Sequence, residues 1–157
     1  MARGHAFWLI NRFVNPVLRR LLRTPLGRGP GRSLAVVRYT GRRTGRTHEL
    51  VCQYARDGDR VWILVGWADR KTWWRNFSAP STVELWLAGR RLPAMAVAVI
   101  GGQNAEQCAR GLRAYLAAVP RAAASLGLAN ADDEAGLSTL IPRTVLVRAD
   151  VRHDGSV

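Results

Sequence analysis

Apolar residues change their spacing as the chain proceeds. Between residues 6 and 23, Phe7, Ile10, Val14, Val17, Leu18 and Leu21 recur at helical intervals, with Arg12, Arg19, Arg20 and Arg23 between them. This period predicts an amphipathic helix. Pro16 kinks or splits it, because proline has no amide for the helical ladder. The breaker-rich segment Thr24-Pro25-Leu26-Gly27-Arg28-Gly29-Pro30-Gly31 ends it. Short runs of β-favouring residues follow, separated by turn signals. They predict strands at Leu34–Tyr39, Leu50–Ala55, Val61–Val65, Thr82–Leu87 and Pro93–Ile100. Asp57-Gly58-Asp59 and Ala88-Gly89-Arg90 supply tight turns. Lys71–Phe77 reads as a short aromatic helix and Ala105–Leu126 as a longer one, ended or kinked by Pro120. Thr139–Ala149 reads as a closing strand.

The expected fold class is mainly β (α+β), a small barrel of about six antiparallel strands with packed helices. Residues 1–31 form the expected N-terminal helix and basic linker, and residues 32–157 the barrel domain. A length of 157 residues with 48% hydrophobic and 22% charged residues suits one folded unit and argues against global disorder.

The formal net charge of +13 changes the picture more. Lys71 is the one lysine, and no Asp or Glu precedes Glu49, whereas Arg3, Arg12, Arg19, Arg20, Arg23, Arg28, Arg32, Arg38, Arg42, Arg43 and Arg46 all do. A GC-rich genome produces arginine excess with no function attached. The asymmetry also fits an anionic partner: lipid headgroups, phosphates, polycarboxylates or nucleic acid. Cys52 and Cys108 offer no disulfide framework and read as buried free thiols of a reducing cytosol. His5, His48 and His153 are too scattered for a zinc site. Arg12 interrupts the N-terminal apolar stretch, so neither a signal peptide nor a membrane span is expected there. The expected location is cytoplasmic.

The residues with the clearest chemistry are Thr40-Gly41-Arg42-Arg43-Thr44-Gly45-Arg46, between two strands. Two glycines let the backbone turn tightly and bring amides close to a ligand. Three guanidiniums then project from the turn, each a bidentate match for phosphate or carboxylate. A solvated basic hairpin accounts for the same residues, and the local pattern does not choose between the two.

The wider pattern resembles the deazaflavin (F420)-dependent nitroreductase family, a branch of the split β-barrel flavin/deazaflavin oxidoreductases. The resemblance rests on Tyr39 to Arg46, then Tyr54-Ala55-Arg56-Asp57-Gly58-Asp59-Arg60 and the strand Val61-Trp62-Ile63-Leu64-Val65. It continues in Trp73-Trp74-Arg75-Asn76-Phe77 and in Ile141-Pro142-Arg143-Thr144-Val145-Leu146-Val147. It implies a split barrel that binds coenzyme F420, with Arg42, Arg43, Thr44, Gly45 and Arg46 on the phosphodiester and oligoglutamate tail. The deazaflavin ring would lie by the loop containing Gly66, Trp67, Ala68 and Lys71, with Trp73, Trp74 and Asn76 as its wall. Tyr115 corresponds to a substrate-side tyrosine of relatives. The implied reaction is hydride transfer from reduced cofactor to a small electrophile such as a quinone, nitroaromatic or enone, which requires no nucleophile–histidine–carboxylate set and leaves the catalytic residues unassigned. The chain departs from the family at Glu49-Leu50-Val51-Cys52, at Thr47, and in a short loop before the tryptophan pair. Those departures bear on cofactor identity, and FMN, haem or a lipid are the other flat ligands a split barrel could take.

Three roles fit the N-terminal helix: packing on the barrel, peripheral attachment at the inner face of a membrane through its basic and aromatic faces, or docking of a protein. The chain carries six tryptophans. Trp62 and Trp86 belong to strands and read as packing residues. Asp132-Asp133-Glu134 reads as a solvated acidic turn. Interleaved arginine and aromatic residues also suit single-stranded nucleic acid, but no nucleic-acid motif is present and none is expected to bind. A monomer and a homodimer both fit.

Overall fold

Seven strands, β1 (Leu34–Thr40), β2 (Thr47–Gln53), β3 (Ala55–Asp57), β4 (Arg60–Leu64), β5 (Ser81–Leu87), β6 (Arg90–Ile100) and β7 (Val145–Val151), make one antiparallel sheet. The computed structural model describes Arg20, Leu21, Arg23, Thr24 and residues 34–153. The strand order is β2-β1-β5-β6-β7-β4-β3. β2 and β3 thus occupy opposite edges, yet only Tyr54 separates them in sequence. A trans peptide spans about 3.8 Å between Cα atoms, so the two edges must approach each other. The sheet therefore curls into a half-barrel, with Tyr54 at the point where its edges meet.

Alternation of side chains along each strand builds two cores. Val37, Ile63, Leu85, Ala96 and Val147 face inward, each 2% exposed or less, and fill the barrel. On the outer face, Trp62 and Leu146 lie beneath α1 (Ala105–Ala118), both at 0% exposure. The helix meets the sheet closely at Gly111, where an added Cβ would lie 2.3 Å from the Trp62 ring. Asn104 caps α1 by accepting the Gln107 amide at 3.1 Å. Two shorter helices, α2 (Ala122–Ser125) and α3 (Glu134–Leu140), complete that side. Among the described residues no helix is long and apolar enough to cross a membrane.

The hairpins at Asp57-Gly58-Asp59 and Ala88-Gly89-Arg90 form as their sequences predict. Gly58 has φ +63°, and Ala88 and Gly89 both have positive φ, 49° and 78°. Four elements differ from expectation. The single strand over Leu50–Ala55 is two, broken at Tyr54, and β2 begins at Thr47. Its polar start belongs to an edge strand whose first residues face solvent. The helix expected over Ala105–Leu126 stops at Ala118, ahead of Pro120, and resumes only as α2. The acidic run is a helix cap: Asp133 accepts the Gly136 amide at 3.0 Å and starts α3. The closing strand begins at Val145, because Thr139 and Leu140 end α3 and Ile141–Arg143 makes a 3-10 turn containing Pro142. The amphipathic helix expected over residues 6–23 lies almost wholly outside the described residues.

Candidate functional site

The basic hairpin joins β1 to β2 in a closed turn. The Gly41 amide donates to the Arg46 carbonyl at 2.7 Å, and the Gly45 amide to the Gly41 carbonyl at 2.9 Å. Gly45 adopts φ +67° with open space around it, a conformation that a side chain would strain. Gly41 is required for a different reason: a Cβ there would lie 2.9 Å from Thr44 Oγ1 and 3.1 Å from His48 Nε2. The turn therefore sits directly on the His48 ring. Arg42, Arg43 and Arg46 are all exposed, and none has an ion-pair partner among the described residues.

Behind the hairpin stands the 3-10 helix Trp73–Phe77. Register explains the contact. Tyr39 lies opposite His48, and their rings stack with centroids 5.4 Å apart at 27°. Phe77 meets Tyr39 edge-on at 5.4 Å and Trp73 at 6.2 Å. A continuous run of rings, His48–Tyr39–Phe77–Trp73, thus connects the hairpin to the tryptophan pair. Burial pushes the Tyr39 hydroxyl above its ordinary pKa, so it remains protonated at neutral pH. Asn76 adds a polar link: its Oδ1 accepts the Arg42 amide at 2.8 Å, and its Nδ2 donates to the Trp73 carbonyl at 2.8 Å.

The loop before this helix is tied to it through Trp74, whose Nε1 donates to the Ala68 carbonyl at 3.0 Å. Within the loop, the Arg70 and Lys71 amides both donate to the Trp67 carbonyl, at 2.9 and 3.0 Å. Trp67 holds φ +50°, which a bulky residue seldom adopts. Its indole is 66% exposed, with Lys71 Nζ 5.6 Å from the ring centroid. Gly66 and Lys71 are exposed, whereas Ala68, Trp73, Trp74 and Asn76 are half-buried.

Contacts thus join Arg42 to Asn76 and Trp73, and Trp74 to the loop that carries Gly66, Trp67, Ala68 and Lys71. Thr44, Gly45, Arg43 and Arg46 complete the hairpin. Tyr115 stands apart. It is 4% exposed in the core between α1 and the sheet, and its hydroxyl faces Gln53 Oε1 at 3.4 Å. Gln53 ends the strand that begins beside the hairpin, and β2's seven residues span roughly 20 Å. Burial pushes the Tyr115 phenol up to about 12. Tyr39, His48 and Phe77 are neighbours of the hairpin that sequence reasoning did not single out as site residues. The signal for the first two was available in the turn, since its length sets the Tyr39–His48 register.

Fold and hairpin together define a β half-barrel with an exposed basic turn braced by aromatic rings. The F420H(2)-dependent quinone reductase family model matches residues 11–123 of the sequence. The chain belongs to that family, and is thereby an oxidoreductase of the F420H2-dependent class. Among proteins with curated descriptions none matches the sequence significantly. Several solved structures are similar, among them these two. A chain described as a domain-swapped dimer shares 16% identity over 77% of this chain and 81% of its own, with a TM-score of 0.48. The protein Atu2129 (unknown function) of Agrobacterium tumefaciens str. C58 shares 18% identity and the fold, with a TM-score of 0.50. That likeness covers 82% of this chain and 54% of the Agrobacterium protein.

The residues present suit such a cofactor. F420 is a flat ring system on a polyanionic tail. The hairpin offers three guanidiniums without carboxylate partners among the described residues, and Asn76 links it to the half-buried indoles of Trp73 and Trp74.

Proposed function

We propose that the chain reduces a quinone with F420H2. Arg42, Arg43, Thr44, Gly45 and Arg46 hold the cofactor's anionic tail, while Gly66, Trp67, Ala68, Lys71, Trp73 and Trp74 line the place of its ring. When bound, F420H2 supplies the hydride, and the protein's task is to orient donor and acceptor and to exclude water. The guanidiniums grip phosphate and carboxylate in bidentate forks. The indoles offer apolar walls to a flat ligand, and Lys71 places a positive charge beside them. Tyr115 takes no part in this arrangement; it packs α1 on the sheet.

One observation carries the reading. Arg42, Arg43 and Arg46 stand on a closed turn with no ion-pair partner among the described residues, while Arg38 of the same strand pair is consumed by Glu49 and Glu84. Titration with oxidised and reduced F420, followed by cofactor fluorescence, tests it. Wild type should bind, and Arg42→Ala and Arg43→Ala should bind at least tenfold more weakly, given the strength of charge-assisted hydrogen bonds. A wild type that binds neither form would overturn the reading. The absorption spectrum of the loaded protein separates deazaflavin from flavin or haem. A panel of quinones, nitroaromatics and enones then sets the acceptor range, with quinones expected to be reduced fastest.

A further inference from the structure

The Asn76 side chain is engaged twice within the protein. It accepts the Arg42 amide and donates to the Trp73 carbonyl, each at 2.8 Å. One amide group therefore ties the first arginine of the hairpin to the first residue of the aromatic helix, across 34 positions of sequence. The Arg43 amide next to it has no partner among the described residues. Beneath the same span, the rings of His48, Tyr39, Phe77 and Trp73 form a packed floor. Without the Asn76 tie the hairpin keeps, among the described residues, its own turn bonds and its contact with His48. Gly45, in open space at φ +67°, would leave its arginine-bearing tip free to move.

We propose that Asn76 is a positioning residue that fixes the distance between the arginine hairpin and the tryptophan wall, so that the two ends of one ligand bind cooperatively. The proposal rests on the functional reading above. The physical reason is preorganisation. A hairpin already held at the right separation loses little freedom on binding, whereas a loose one must be ordered by the ligand at a cost in affinity. The benefit exists only for a ligand long enough to reach both ends. A molecule that occupies the wall alone gains nothing from a well-placed hairpin.

The experiment compares F420 with its tail-less deazaflavin nucleoside on wild type and Asn76→Ala, alongside amide hydrogen exchange of the ligand-free proteins. In wild type the Arg42 amide should exchange about tenfold more slowly than the Arg43 amide. Asn76→Ala should erase that difference, weaken F420 about tenfold and leave the nucleoside within twofold of wild type. Asn76→Asp keeps the acceptor oxygen, so its Arg42 amide should exchange as slowly as in wild type, whether or not the alanine variant folds. Equal weakening of both ligands would show Asn76 acting at the ring and overturn the proposal, as would unchanged F420 affinity or fast Arg42 exchange in Asn76→Asp. If wild type binds F420 and only these variant results fail, the positioning role falls and the functional reading stands. If wild type binds neither ligand, both fall.

Discussion

Arg38 and Arg42 stand on one β-hairpin and meet opposite ends. Arg38 belongs to a lattice on the outer face of β1, β2 and β5. Its Nε donates to Glu49 at 2.8 Å and its Nη1 to Glu84 at 3.2 Å. Arg23 pairs with the same Glu49, and Arg91 with the same Glu84. All three guanidiniums stand over the Trp86 indole, at 4.6, 4.9 and 5.9 Å from its centroid. Two carboxylates and one indole thus absorb three arginines, and Trp86 itself is only 8% exposed. At the hairpin tip, Arg42, Arg43 and Arg46 have neither carboxylate nor indole to stack on among the described residues. The contrast shows that net charge overstates what a ligand can use. Arg23, Arg38 and Arg91, each with a carboxylate and an aromatic face, serve the fold, whereas Arg42, Arg43 and Arg46 are grouped on one turn and form the candidate site.

The largest effect expected from this contrast is on cofactor affinity. Single Arg42→Ala and Arg46→Ala variants should each weaken F420 by roughly 10- to 150-fold, since a charge-assisted hydrogen bond contributes about 1.5–3 kcal/mol. Their melting temperatures should stay within about 2 °C of wild type, because surface changes away from packing seldom exceed about 0.5 kcal/mol. Arg38→Ala should behave in the reverse way. Loss of a shared partner from a partly buried network should lower the melting temperature by about 4 °C, and F420 affinity should stay within about threefold. An Arg38→Ala protein with normal stability and failed binding would break the distinction.

A pH titration sharpens it. Burial opposes ionisation of Glu49, but hydrogen bonds and charge from Arg38 and Arg23 outweigh it, and the carboxyl is held below its ordinary 4.5. Glu84 is likewise held below 4.5, chiefly by Arg91. A depressed folded-state value means that the unfolded chain takes up protons first as pH falls. The lattice's contribution is complete above about pH 4.5 and is lost as pH drops through the lower folded-state values. Thermal melts of Glu49→Gln across this range should be flatter than those of wild type, and parallel curves would contradict the lattice. The smallest expected effect is that of salt. Raising ionic strength should weaken F420 by a few-fold and leave the tail-less nucleoside unchanged, because screening acts on exposed charges.

Much of the fold was legible from local chemistry. Asp57-Gly58-Asp59 and Ala88-Gly89 specify turns through the positive φ that glycine accepts, and those hairpins form with β3–β4 and β5–β6 on either side. The break at Tyr54 was not legible, since Leu50 to Ala55 is continuously strand-like and only closure of the sheet divides it. Asp133 looked like solvated acid because its value lies in capping amides that become available only once α3 forms. At the site, the two glycines and three arginines of the hairpin were plain in sequence. The fate of each arginine was not. It depends on register, which sets Arg38 opposite Glu49 and Glu84 and gives the tip no carboxylate partner among the described residues. The Asn76 contact with Arg42 is also tertiary, and no spacing rule reaches across it.

The most direct test uses charge-matched pairs. Arg42→Ala/Arg43→Ala and Arg38→Ala/Arg91→Ala each remove two positive charges, one pair from the free hairpin and one from the Trp86 lattice. Fluorescence titration with F420 should show the hairpin variant weakened by about 100-fold or more and the lattice variant within about threefold of wild type. Equal weakening of the two would mean that overall charge, not the unpaired hairpin, attracts the cofactor, and would contradict the account.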